Sequence, residues 1–278
     1  MKSDMMDVMK IEKKIVKKGV RKTKSKFEIK PDLPHVFPPD LTGGVARYVE
    51  IFIDKERYTL KKMLTEIFRE NSLLLDEGKN LLIEEFGRDY TTYFSILSLI
   101  ASSRTSRSEI ESILEKNIGG YLEKLEKEYQ VIKSVRPLLA KPGGRVQKYQ
   151  IEDNFLAFWF RFIYKNRSAI EIGNFEYVRS VSERDFNVFS GTFLEKYFRE
   201  KLALTGVYSQ IGRYWEKGNN NEIDIVAINE KDHEILVAEV KRNKSKFDFP
   251  ALQSKSIKLI QRFQAYKTVY KCLSLEDM

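Results

Sequence analysis

The chain has 278 residues, 42% apolar or aromatic and 32% charged, with a formal net charge of +9. That length suits two or three small domains, while one cysteine, Cys272, excludes an intrachain disulfide. The two histidines, His35 and His233, stand far apart, which argues against a Cys/His zinc site or a histidine triad. The longest aromatic run, Phe155–Phe160, is cut by Arg161 and falls short of the roughly 20 residues a membrane span needs. The N-terminus mixes acids with its lysines and lacks the apolar block of a signal peptide. A cytoplasmic protein without membrane contact is expected.

Residues 1–30 hold eleven Lys and Arg against four Asp and Glu, so the rest of the chain carries only about +2. This tail either binds phosphates by counterion release or serves as a solubilising arm. Pro31, Pro34, Pro38 and Pro39 break any helix before Leu41, which makes residues 1–40 a tail and linker. Residues 41–88 read as helical: Tyr48, Ile51 and Phe52 share one face, and Leu60, Met63, Leu64, Ile67 and Phe68 share another. A third helix is expected over roughly 79–86.

Residues 89–150 read as a winged helix. Tyr93, Ile96, Leu97 and Ile100 form its first helix face, and Ser106 with Glu109 makes a capping box that opens a helix to about Leu114. A third helix over 118–128 precedes strands at 131–135 and 147–151, joined by a wing over 140–145. As a recognition helix and wing, this unit would offer DNA Arg107, Lys116, Asn117, Tyr121, Lys124, Lys141 and Arg145. Its acids Glu123, Glu126 and Glu128 suit a protein-docking module equally well. Residues 152–170 carry Phe155, Phe158, Trp159, Phe160, Phe162 and Tyr164, a density of rings that belongs in a core.

From 151 to 278 the order is helix, strand, strand, strand, helix, strand. The first helix, over 191–200, carries Glu195, and the first strand runs to Trp215. Tyr214 and Trp215 are read as packing residues before base-stacking ones. Two apolar runs flank the turn-rich stretch 229–233, a β-hairpin signature. If Ile228 pairs with Ile235, Asp224 falls opposite Glu239, and Lys241 projects from the same side as Glu239. Paired carboxylates of this kind can hold Mg²⁺ or Mn²⁺, and a neighbouring lysine can orient water or neutralise a scissile phosphate. Glu222, two residues before Asp224, is a reserve ligand. Arg242, Lys244 and Lys246 follow the site and could track phosphates. Pro250 opens the next helix, with Leu252, Ile257, Ile260 and Phe263 expected inward.

Asp224 followed by Glu239-Val-Lys241 resembles the metal-binding signature of PD-(D/E)xK nucleases, a family that often keeps a further acid on an upstream helix, where Glu195 stands. Two other stretches, Thr42-Gly-Gly-Val-Ala-Arg-Tyr-Val-Glu50 and Tyr149-Gln-Ile-Glu-Asp-Asn-Phe-Leu-Ala-Phe-Trp-Phe-Arg-Phe162, are similar to a family of archaeal and bacterial ATPases. There a helical lid and a winged helix precede a nuclease-like C-terminal domain. The resemblance covers roughly 41–278 and implies a multidomain α/β chain: a lid-like helical segment (41–88), a winged helix (89–150) and a restriction-endonuclease-like α/β sandwich (151–278). The one Gly-Lys pair, Gly78-Lys79, is followed by Asn80 and lacks the phosphate-binding loop, so no ATP is expected to bind this chain. The resemblance thus implies a DNA-binding, Mg²⁺- or Mn²⁺-dependent phosphodiesterase using Asp224, Glu239, Glu195 and Lys241. The alternative is a non-catalytic DNA- or protein-binding remnant of such an ATPase.

Overall fold

A computed structural model describes Phe52, residues 59–140 and residues 146–278, all inside one compact unit, Pro38–Met278. The tail, the Thr42–Glu50 stretch, Tyr48, Ile51 and the expected wing residues Lys141 and Arg145 lie outside the described residues.

Helix α1 (Leu60–Ile67) is capped by Thr59, whose hydroxyl accepts from the Lys62 amide, and buries Met63, Leu64 and Ile67. Helix α2 (Leu73–Phe86) begins six residues earlier than expected. Its Gly78 has a packing role, because a Cβ there would clash with the ring of Trp159. The Trp159 indole also donates to the Leu75 carbonyl at 2.8 Å, locking the contact.

Three helices follow: α3 (Tyr90–Ala101), α4 (Arg107–Leu114) and α5 (Gly119–Glu123, continued by a π-turn over Lys124–Glu128). Strands β1 (Ile132–Val135) and β2 (Lys148–Ile151) then pair antiparallel, with Ile132 opposite Ile151. Only half of the expected capping box forms. The Ser106 hydroxyl accepts from the Glu109 amide, while the Glu109 carboxylate turns to Arg104 at 2.7 Å, a charged donor that outcompetes a backbone N–H.

Helix α6 (Asn154–Phe158, continued by a π-turn over Trp159–Ile163) buries Phe155, Phe158, Trp159, Phe160 and Phe162. Phe94 from α3 meets Phe160 edge-on at 5.3 Å, so these rings form the centre of the helical part. After α7 (Arg167–Glu171) comes α8 (Phe175–Leu204), 30 residues long where the sequence suggested ten. Its buried Val178, Ser182, Phe186, Phe189, Leu194 and Phe198 recur every three to five positions, one stripe shared by two partners. The first half packs on α1 and α7, and the second half lies across the sheet.

That sheet has the order β3 (Gln210–Tyr214), β4 (Ile223–Asn229), β5 (Glu234–Val240), β6 (Lys267–Leu273). The first three strands are antiparallel, and β6 runs parallel to β5 through the crossover helix α9 (Phe249–Ile260). Asp248 caps α9 by accepting from the Ala251 amide, and Pro250 sits in the first turn. Against α8 the sheet turns Ile225, Ala227, Leu236 and Ala238; against α9 it turns Ile223, Val226, Ile228, Ile235 and Val237. Each large aliphatic so buried contributes about 1.5–3 kcal/mol. Ile257, expected inward, is 56% exposed. At 100° per residue it lies about 140° from Leu252, whereas Ser256 and Leu259 fall on the sheet side. Among the described residues no helix is long and apolar enough to cross a membrane.

Candidate functional site

The β4–β5 ladder places Ile228 opposite Ile235 and ends with Ile225 opposite Ala238. One step further along the same register, Asp224 and Glu239 are neighbours. The regular ladder stops there because Asp224 replaces it: its Oδ2 accepts from the Val240 amide at 2.8 Å. A side-chain carboxylate thus takes the position of a strand carbonyl, at the margin between the two sheet faces.

Glu239 alternates with Ala238 and Val240, which face α8, so it points toward α9. It is buried, and its Oε1 accepts from Lys241 Nζ at 2.7 Å and from Lys255 Nζ of α9 at 3.4 Å. Burial pulls the Lys241 ammonium down, but the hydrogen bond and charge of Glu239, with the charge of Asp224, outweigh it and hold the pKa above the usual lysine value. Burial raises the pKa of Asp224; the Val240 N–H and the positive Arg213 oppose the shift, and Glu239 adds to it.

Glu195 comes from α8 and so approaches from the opposite face. Arg199, one turn on, and Arg213 of β3 each lie 3.5 Å from its carboxylate. Burial nevertheless pushes its pKa up to about 7: Arg213 and Arg199 counteract, while Asp224 and Glu222 reinforce the rise. Arg199 also donates to the Asp224 carbonyl at 3.3 Å, tying Glu195's helix to the β4 end. Glu222 is engaged by Arg213 at 2.6 Å and by Lys148 of β2 at 3.0 Å. The Lys148 ammonium also lies 4.8 Å above Trp215, and Tyr214 and Trp215 are both buried, as packing residues should be.

The patch therefore sets four carboxylates (Glu195, Glu222, Asp224, Glu239) among five cations (Lys148, Arg199, Arg213, Lys241, Lys255). Among the described residues no group of three or more His, Cys, Asp or Glu converges as a metal cage. What the hydrogen bonds leave open is one oxygen on each of Asp224 and Glu239. Two hard carboxylate oxygens completed by water meet the needs of Mg²⁺ or Mn²⁺, though a cation must compete with the two ammoniums on Glu239. A cavity of about 470 Å³ lies elsewhere, between α9 and β6, and is lined by uncharged side chains such as Gln253, Ile260 and Tyr270.

Of the other residues expected to touch DNA, Arg107, Lys116, Asn117, Tyr121 and Lys244 are tied into the fold. Arg107 pairs with Glu111 at 2.8 Å and reaches Asn117 at 3.3 Å, while the Asn117 amide oxygen accepts from the Gly119 backbone. Lys116 donates to Thr92 and lies 4.7 Å over Tyr121, which itself stacks edge-on against Tyr93. Lys124 stands at the start of the π-turn. Lys244 pairs with Asp277 at 2.9 Å, and Arg242 donates to Ser190. Sequence reasoning missed Lys255, Arg213, Arg199 and Lys148. Arg199 had a visible signal, an i,i+4 spacing from Glu195; the others are brought in by strand and helix crossings.

These features define a mixed α/β chain with an acidic hairpin end clamped by lysines and arginines. A family described as archaeal and bacterial proteins of unknown function matches residues 159–257, a span holding Glu195, Asp224, Glu239, Lys241 and Lys255. An uncharacterized protein of Methanocaldococcus jannaschii is 32% identical over 245 residues, covering 84% of this chain and 52% of the relative. The chain thus spans about half the length of that relative. No solved structure matches.

Proposed function

We propose that this chain is a DNA-binding protein with a metal-dependent phosphodiesterase site at the open end of the β4–β5 hairpin. The observation carrying this reading is the register that sets Asp224 against Glu239, with Lys241 hydrogen-bonded to Glu239 on the same side. The strand order, with an antiparallel meander followed by a parallel fourth strand and a helix on each face, agrees with the endonuclease-like sandwich that the Asp…Glu-x-Lys resemblance implies. The helix order over 90–128 followed by the β1–β2 hairpin agrees with a winged helix.

Bound Mg²⁺ or Mn²⁺ would supply Lewis-acid polarisation of the phosphate and an activated water. Asp224 and Glu239 would hold it through their open oxygens. Lys241, released from Glu239 as the cation takes its place, would orient the attacking water or offset phosphate charge. Glu195, on the far face, acts through Asp224 by way of Arg199 and Arg213, which makes it a positioning residue in this reading. No ATP chemistry is proposed.

The pairing of Glu239 with two ammoniums and of Glu195 with two guanidiniums favours one other reading, a structural ion-pair network in a non-catalytic DNA- or protein-binding remnant. Calorimetric titration of Mg²⁺ and Mn²⁺ into wild type and Asp224→Asn separates the two, alongside cleavage of single-stranded, duplex and branched DNA. Binding and cleavage that both vanish in the variant support the nuclease; no metal affinity up to millimolar concentrations removes catalysis at this site.

A further inference from the structure

A second charged feature lies away from the hairpin, where α6 meets the first half of α8. A cavity of about 140 Å³ is lined there by Arg161, Lys165, Asn166, Tyr177, Arg184 and Asp185, among others. Three cations thus surround one carboxylate. Asp185, half-buried, is taken up by its exposed neighbour Arg184 at 2.7 and 3.0 Å, a pair of the weak surface kind. Arg161 spends one N–H on the Ala101 carbonyl at 3.3 Å, and Lys165 is exposed and forms no salt bridge among the described residues. The Asp185 carboxyl responds to this surplus: its hydrogen bond to Arg184 and the charges of Arg184, Arg161 and Lys165 outweigh partial desolvation and hold its pKa below the usual value.

Size narrows the occupant. The space is well below the roughly 300 Å³ of a site for a whole cofactor or nucleotide. It has room for one tetrahedral oxyanion with a few waters. Three donor-rich side chains with a net surplus of two positive charges suit an anion that accepts several charge-assisted hydrogen bonds. We infer that this cavity is a subsite for a phosphate-type oxyanion, held by Arg161, Lys165 and Arg184.

The position on α8 indicates whose phosphate it takes. Tyr177, Arg184, Val188 and Glu195 fall within about 20° of one line along an ideal helix, with Arg184 eleven residues before Glu195. That separation is about 16 Å along the axis, close to five nucleotides of rise in a duplex. In the proposed nuclease reading the phosphate belongs to the backbone of a bound nucleic acid, gripped along the same helix that carries Glu195. This assignment of the phosphate's owner rests on the proposed nuclease reading, while oxyanion capture itself does not.

The test avoids metal altogether, so the failure of either idea is visible separately. Fluorescence anisotropy in EDTA measures a labelled 20-base-pair duplex binding to wild type, to Arg161→Gln/Lys165→Gln and to Lys165→Glu. The second variant removes only an exposed side chain and guards against misfolding of the first, and Lys231→Glu on the β4–β5 turn controls for long-range charge. In parallel, the unfolding midpoint is compared in sodium phosphate and in sodium chloride of equal ionic strength. The expected result is a roughly 10-fold weaker duplex complex for the double variant, with the slope of log K against log salt reduced by about one per cation removed. Phosphate-specific stabilisation should also be lost. Loss of that stabilisation with unchanged duplex affinity keeps the oxyanion site and assigns it to free phosphate. If neither quantity differs from the control reversal, the subsite is overturned, whatever the metal titration of Asp224 shows.

Discussion

The two ends of the β4–β5 hairpin are built from the same two strands, yet they solve opposite problems. At the turn, Asn229 closes the hairpin by local bonds: its amide donates to Asp232 at 2.7 Å and its oxygen accepts from the Asp232 backbone at 3.1 Å. Both of these bonds join residues three apart, although the turn also takes the Lys267 amide on the His233 carbonyl at 2.8 Å. At the other end, Arg199 of α8 reaches Asp224 and Lys255 of α9 reaches Glu239, while Lys148 of β2 and Arg213 of β3 hold the neighbouring Glu222. Burial raises the pKa of Asp224 and brings Glu195 to about 7. A buried charge that could be replaced without loss of packing is a cost to stability, and such costs collect where chemistry is done. The turn is an end made for folding; the open end spends stability on charge.

The sharpest break in that contrast comes from Asp224→Asn. The amide oxygen still accepts from Val240, so unfolding by denaturant should be unchanged or slightly harder, while metal-dependent cleavage falls by roughly 100-fold or more. A loss of stability matching the loss of activity would make Asp224 a structural residue and erase the distinction between the ends.

Next in size is the pH dependence of Glu195. Its pKa in the folded state lies above the unfolded value, so the folded protein holds an extra proton between about pH 4.5 and 7. The sign follows: this group's contribution is full below 4.5 and is lost as pH rises through 7, by up to about 3 kcal/mol. Glu195→Gln should flatten that part of the stability curve, measured by urea unfolding from pH 4 to 8. An unchanged curve would place the titration elsewhere.

At the turn, Asn229→Ala removes two hydrogen bonds from a buried residue and should cost about 1–2 kcal/mol, with metal binding intact. A change in metal affinity would couple the two ends. The smallest effect is expected from Lys255→Met. With one ammonium fewer on Glu239, Mg²⁺ should bind two- to five-fold more tightly by calorimetry, and stability should move by less than about 1 kcal/mol, since Lys255 is part exposed. Weaker binding would make Lys255 a support for Glu239 in place of a competitor.

How much of this was legible depends on distance along the chain. The hairpin register followed from two apolar runs around a five-residue turn, and the structure pairs Ile228 with Ile235 as that spacing requires. The same logic put Lys241 beside Glu239. The helix α8 was underestimated threefold because its apolar stripe changes partner midway, so no single amphipathic window spans it. Gly78 looked like half of a nucleotide motif; its meaning is the Trp159 ring 81 positions away.

The sequence alone determined what short-range physics can set: the Ser106 cap, the helix start at Pro250, the aromatic core run, the order of the last domain's strands, and the Ile228–Ile235 register. Only the tertiary structure decided that Glu195 and Glu239 approach from opposite faces of the sheet. It alone brought Lys148, Arg213 and Lys255 to the carboxylates. Those pairings join residues up to 74 positions apart, and they depend on how α8 and α9 cross the sheet. Crossings of that kind are set by the packing of whole faces, which no local spacing encodes.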